Sequence, residues 1–160
     1  MFRVGILTIS DSAARGLRPT DASGEEIRRF VAARGWQEAA YAVVADEAAE
    51  IMAVLRRWAD QDGLDLILTT GGTGMGPRDV TPEATLAVID RQVPGIPEAV
   101  RWKSLQITPH AMISRAVSGI RGRTWIINLP GSPKGVREAL EIIEPALQHG
   151  LELLRGISSH

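Results

Sequence analysis

The stretch Leu66-Ile67-Leu68-Thr69-Thr70-Gly71-Gly72-Thr73-Gly74-Met75-Gly76-Pro77-Arg78-Asp79-Val80-Thr81-Pro82-Glu83 constrains the fold more than any other. A short apolar run that suits a buried strand stops abruptly at glycines, whose backbone reaches angles closed to other residues. Thr81 then stands where an N-cap belongs, with Pro82 at the first helical position and Glu83 in the first turn, where the helix dipole favours negative charge. Strand, glycine loop and helix therefore follow in order, as in the repeating unit of a parallel α/β sheet.

A loop of this kind exposes backbone N–H groups with no side chains in the way, which suits phosphate or another anion. It is not a Walker A loop, because no Lys-Ser or Lys-Thr follows the glycines, and Gly72 to Pro77 fails the dinucleotide fingerprint at its last position. The alternative is a plain flexible turn joining strand to helix. Asp79 and the helix start behind it weigh towards a site.

The same unit recurs on both sides. Val4 to Ile9 reads as a central strand ending at Ser10-Asp11, and a polar loop follows from Ser12 to Ala22, long enough to move over a neighbouring site. Ser23 and Glu26 match a capping box for a helix carrying Ile27, Phe30 and Val31, stopped by Gly35. Tyr41 to Ala45 suggests a second strand running into Asp46-Glu47, and Ile51, Leu55, Trp58 and Ala59 then recur at helical spacing up to Gly63. Three successive units predict an α/β three-layer sandwich, with a mostly parallel central sheet and helices on both faces. In such sheets ligands bind beyond the carboxyl ends of the strands, where Ser10, Asp11, Asp46, Gly71 to Gly74 and Asp79 all fall.

Further on, Pro97 to Leu105 reads as helix, Thr108-Pro109-His110 interrupts it, and Ala111 to Ala116 starts another short helix. Val117 to Arg123, with two glycines, suits a turn or short hairpin. Thr124 to Leu129 is a strand that opens into Pro130-Gly131-Ser132-Pro133, with Ser132 as N-cap. The last helix presents Val136, Leu140, Ile143, Leu147, Leu151 and Leu154 on one face, and Pro145 is expected to kink or divide it.

The 160 residues fit a single domain, 1–160, with a sizeable core. Eighteen basic and nineteen acidic residues give a net charge of −1, which provides no general attraction to nucleic acid or to an anionic membrane. Any phosphate binding is therefore local. No cysteine is present, so disulfides, thiolate metal sites and a cysteine nucleophile are excluded. With no signal-peptide cleavage region and no stretch long enough to cross a bilayer, a cytoplasmic protein is expected.

Thr69 to Gly74 followed by Arg78 to Thr85 resembles the signature of the molybdopterin adenylyltransferases of molybdenum-cofactor biosynthesis. Ser114-Arg115-Ala116 and Ile127 to Lys134 are similar to the family's other two segments, in the same order and spacing, so the likeness covers nearly the whole chain. The resemblance implies transfer of AMP from ATP to the terminal phosphate of molybdopterin, with Mg²⁺ as cofactor and pyrophosphate as leaving group. It also implies a homotrimer and a downstream molybdate-insertion enzyme as partner. The rival is a non-catalytic molybdopterin-binding or scaffolding module of the same fold. The intact Arg78 to Glu83 stretch favours the enzyme, and the absence of a fused insertion domain implies a single function.

By position alone Asp79 either binds a metal ion that shields phosphate charge or makes a turn, and Asp46 is an N-cap at least as readily as a ligand. The resemblance assigns both to metal-assisted adenylyl transfer. It places nucleotide contacts at Gly71, Gly72, Thr73 and Gly74, and pterin-phosphate contacts at Ser114, Asn128, Pro130, Gly131, Ser132 and Lys134. Ser10 and Asp11 either bind ligand or only turn the chain, and Arg78 either meets a phosphate or is solvated. His110, His149 and His160 show no metal-ligand spacing and read as structural or solvated, while the four tryptophans suit packing.

Overall fold

Residues of alternating parity along each strand face opposite sides of a sheet, and the central strands carry apolar side chains on both. Val4, Ile6, Leu66, Leu68, Trp125, Ile127 and Leu129 pack into one buried cluster, whereas Leu7, Ile9, Ile67 and Ile126 pack into another. That double burial is what a sheet covered on both faces requires.

The computed structural model describes residues 1–157, so His160 lies outside the described residues. The strands are β1 (Arg3–Ile9), β2 (Gln37–Val44), β3 (Leu66–Thr70), β4 (Arg91–Gln92), β5 (Ser118–Arg121) and β6 (Thr124–Leu129). They form one sheet in the order β2-β1-β3-β6-β5-β4. The first four in that order run parallel and the last two pair antiparallel; in place of the turn or short hairpin expected within Val117 to Arg123, β5 turns at Gly122-Arg123 and pairs with β6. The helices are α1 (Asp11–Ala14), α2 (Ala22–Ala33), α3 (Ala48–Arg56), α4 (Thr81–Val88), α5 (Gly95–Ser104) and α6 (Pro133–Leu154). Ile27 and Val31 of α2, Ile96 of α5 and the stripe of α6 cover one face, while Ile51 and Leu55 of α3 and Ala84 and Val88 of α4 cover the other. The α/β three-layer arrangement expected from the sequence is the one observed.

Several boundaries differ from expectation, each for a local reason. Helix α2 is capped by Asp21, which accepts the Gly24 N–H, and not by Ser23. Ser23 is thereby freed to donate to the Gly131 carbonyl. Helix α4 begins at Thr81, one position earlier than expected, so apolar Val80 takes the cap position with no side-chain bond while the Thr81 hydroxyl donates to the Gly71 carbonyl. The predicted loop from Ser12 opens with the single helical turn α1, capped by Ser10. Strand β2 starts four residues before Tyr41, since Gln37 and Glu38, polar on a sheet edge, still pair with Arg3 and Val4. Past α3 the chain continues through a π-helical turn at Arg57–Gln61, and Thr108 caps a 3₁₀ turn at Pro109–Ile113. Pro145 does not divide α6: apolar residues buried on both sides of it, from Val136 to Leu151, hold the helix as one 22-residue element. That burial offsets the roughly 3 kcal/mol a mid-helix proline costs.

Candidate active site

The four parallel strands end along one edge of the sheet, and each runs into a polar turn: Ser10-Asp11 after β1, Asp46 after β2, the glycines after β3 and Pro130 to Ser132 after β6. Three hydroxyls pin these turns to the fold by donating to their carbonyls. Thr70 Oγ1 donates to Pro130 at 2.6 Å, Ser23 Oγ to Gly131 at 2.7 Å and Thr81 Oγ1 to Gly71 at 2.8 Å.

The glycine loop wraps around the two carboxylates. Gly72 adopts φ +69°, and a methyl group there would overlap Thr81 Oγ1 and press on Asp46 Oδ1. Gly76 donates its N–H to Asp79 Oδ2 at 2.9 Å, while the Asp79 N–H returns to the Gly76 carbonyl at 3.0 Å. The loop expected to approach a ligand closely thus first approaches Asp46 and Asp79.

Asp46 is not a helix cap, since α3 has Glu47 at that position and no side-chain cap bond. Its carboxylate accepts the N–H of Asp11, and the Asp11 carboxylate accepts the N–H of Asp46. Burial raises the Asp46 pKa, opposed by the Asp11 N–H and reinforced by the charges of Asp11 and Asp79. Asp11 is lowered, chiefly by its hydrogen bonds from Arg78 and from the Asp46 backbone. Arg78, which position alone left solvated or phosphate-bound, forks onto Asp11 at 3.1 Å and reaches Glu47 at 2.8 Å.

Two cavities open at this edge. The first, about 510 Å³, is walled by Ser10, Asp46, Gly71 and Gly72, and continues to Arg18 and Asp21. Among its described lining residues Asp21, Asp46 and Asp79 are acidic and Arg18 is the one cation. A polyphosphate entering it needs further positive charge. The second, about 710 Å³, combines apolar Val100, Ile107 and Ile113 with the cations Arg101 and Lys134. That mixture suits a ring system carrying a phosphate. Gly72, Asp79, Gly131 and Ser132 line both cavities, so the two adjoin at Asp79 and at the start of α6. Ser132 caps that 22-residue helix, whose N-terminus favours anions.

Thr73, Gly74, Ser114, Pro130 and Lys134 all line the second cavity, so the glycine loop does not serve the first cavity alone. Asn128 lines neither. It is 5% exposed, donates both amide hydrogens to Thr69 and Thr85 and accepts the Val117 N–H at its carbonyl, so its amide is used inside the fold. Asn128 holds the site together from behind. Sequence reasoning missed Arg18, Asp21 and Arg101. Asp21 had a signal, since Asp caps helices as well as Ser does; the two arginines become site residues only through the tertiary fold.

No cluster of three or more metal-binding side chains exists among the described residues. Two carboxylates on one cavity fit Mg²⁺, which commonly binds through one or two carboxylates and takes its other ligands from phosphate and water.

The family described as "Probable molybdopterin binding domain" matches residues 5–149. The chain is 41% identical over 157 residues to the molybdopterin adenylyltransferase of Helicobacter pylori, covering 97% of this chain and 89% of that protein. It is 40% identical over 164 residues to the molybdopterin adenylyltransferase of Escherichia coli K12, covering 98% and 80%. The crystal structure of the molybdopterin biosynthesis enzyme MoaB from Thermus thermophilus superposes with a TM-score of 0.92 at 56% identity, covering 98% of both chains. The family match, these identities and this superposition place the chain in the molybdopterin-binding family of molybdenum-cofactor biosynthesis.

Proposed function

We propose that the protein is a molybdopterin adenylyltransferase that moves AMP from ATP to the terminal phosphate of molybdopterin. The observation that carries this reading is the meeting of the two cavities at Asp79, Gly72, Gly131 and Ser132. With a divalent cation on its carboxylates the first cavity would take a polyphosphate, the second suits a phosphorylated ring, and their shared wall is where two phosphorus centres would be brought together. A phosphate oxygen of molybdopterin attacks the α-phosphorus of ATP, the bond from that phosphorus to the bridging oxygen breaks, and pyrophosphate departs with the electron pair.

The attacking group is itself a phosphate, so the protein supplies no nucleophile. Its residues align two anions and hold back water, which is the larger part of catalysis in phosphoryl-type transfer. Asp46 and Asp79 would hold Mg²⁺, which when bound neutralises charge on the triphosphate and the leaving pyrophosphate. The α6 N-terminus, Ser132 and Lys134 receive the pterin phosphate. Arg101 borders the same cavity and fixes its floor by donating to the Ser114 and Ala116 carbonyls. We further propose that the protein works in the cytoplasm as a homotrimer and hands adenylated molybdopterin to a molybdate-inserting enzyme. A monomer in sedimentation at working concentration would refute the trimer.

The test is mass detection of adenylated molybdopterin after mixing the protein with molybdopterin, ATP and Mg²⁺, beside Asp79→Asn. Product from the wild type and not from the variant supports the transferase. Tight molybdopterin binding without product would replace it with a binding module.

A further inference from the structure

Ser114 and Arg115 are neighbours that part company. Ser114 lines the second cavity, whereas Arg115 lines neither cavity and turns back to the glycine loop. Its backbone N–H donates to the Thr73 carbonyl at 2.9 Å. Its guanidinium donates to the Gly74 carbonyl, the Asp79 carbonyl and Glu83 Oε2, each at 2.7 Å. All the groups it holds lie between Thr73 and Glu83, with Asp79 among them.

We propose that Arg115 is a positioning residue that sets the place of Asp79 in the site, an inference that rests on the role given to Asp79 above. The loop from Gly74 to Asp79 is closed on itself by the Gly76–Asp79 pair of hydrogen bonds. Arg78 ties it to Asp11 and Glu47 on one side, and Arg115 ties it to the sheet edge on the other. The backbone of Arg115 is itself fixed, since Arg101 donates to the carbonyls on both sides of it, at Ser114 and Ala116. The three bonds leave three different nitrogens of the planar guanidinium, whereas the three donors of a lysine all radiate from one atom and do not reproduce that spread.

The experiment is a double-mutant cycle for AMP transfer with Arg115→Lys, Arg115→Ala and Asp79→Asn, together with amide hydrogen exchange in the ligand-free protein. Each Arg115 variant should lower kcat by about ten- to a hundredfold, as displaced positioning groups do. Molybdopterin affinity should change little. The Arg115/Asp79 double variant should be no slower than Asp79→Asn alone, because the arginine acts through the aspartate. The amides of Gly76 and Asp79 should exchange faster in Arg115→Lys than in the wild type. Where Arg115→Ala fails to fold, Arg115→Lys carries the same cycle. Losses that multiply in the double variant, or unchanged exchange at Gly76 and Asp79, would overturn the positioning role. A wild-type protein that makes no adenylated molybdopterin would instead overturn the function, with the exchange measurement still deciding the role of Arg115.

Discussion

The Asp11 N–H donates to the Asp46 carboxylate at 2.9 Å, and the Asp46 N–H donates to the Asp11 carboxylate at 3.0 Å. This reciprocal pair locks the turn after β1 to the turn after β2. It places two carboxylates side by side, a repulsion relieved by Arg78, which grips Asp11 and leaves Asp46 facing the cavity. Asp11 thus acts on the site by orienting Asp46. On the metal-holding role proposed for Asp46, Asp11→Ala should slow AMP transfer by about ten- to a hundredfold, the range seen when a partner of a metal ligand is removed. Asp46→Asn should slow it further. Steady-state kinetics on the two variants checks the order, and an Asp11→Ala enzyme as fast as the wild type would contradict it.

The pKa of Asp46 gives a second outcome. Burial raises it above the ordinary value of 3.8, so the folded protein binds this proton more readily than the unfolded chain does. The contribution to stability is favourable below the unfolded pKa and is lost as pH rises through the raised folded value. At neutral pH the ionised carboxylate therefore counts against the fold. Asp46→Asn should melt at a higher temperature than the wild type at neutral pH, and the gap should close as pH is lowered past the ordinary carboxylate value. Thermal melts across that range test it; a variant less stable at neutral pH would show that the Asp11 pairing outweighs burial.

Much of this site is written along the chain because each strand of a parallel sheet ends where ligands bind. Val4 to Ile9 leads to Asp11, Leu66 to Thr70 leads to the glycines and Thr124 to Leu129 leads to Ser132, and each step is local. What the chain conceals is the use of each polar side chain once distant turns meet. Ser23 looks like a cap and instead holds Gly131; Thr81 looks like a cap and instead holds Gly71. Asn128 sits in a segment that resembles a ligand loop, yet strand alternation turns it into the buried layer against Thr69 and Thr85. Arg115 and its carbonyl partners are separated by up to 42 residues, so no local signal announces their pairing.

Gly72 and Gly63 separate backbone strain from crowding. Both adopt positive φ, +69° and +61°, but a methyl group at Gly63 meets nothing within 4 Å, whereas at Gly72 it overlaps Thr81. Gly63→Ala should cost about 1–2 kcal/mol, the left-handed penalty alone. Gly72→Ala should cost clearly more and should also abolish transfer, because relief requires moving Thr81 or the loop that carries Asp79. Urea denaturation of the two variants, with an activity assay, compares them directly. Equal costs would mean that the loop yields to the methyl group without strain.

Asn128 and Lys134 provide the sharpest separation of support from contact. Asn128 uses both amide hydrogens and its carbonyl on Thr69, Thr85 and Val117, joining β3, α4 and the approach to β5. Asn128→Ala removes the buried bonds to Thr69 and Thr85 and the part-buried acceptor of the Val117 N–H, and should destabilise the fold by about 1–3 kcal/mol. Below its melting range, the variant should still bind molybdopterin nearly as the wild type does. Lys134 is the converse: it is exposed, its nearest carboxylate, Glu138, is 3.9 Å away, and it lines the second cavity. An exposed pair at that distance adds little to stability, so Lys134→Ala should melt as the wild type does while binding molybdopterin more weakly. Its loss of affinity should shrink as salt is raised, since the contact it removes is a charge on a phosphate. Paired melts and binding titrations of the two variants test both halves. If Asn128→Ala loses molybdopterin affinity without losing stability, Asn128 reaches the ligand after all and the loop must open to let it do so.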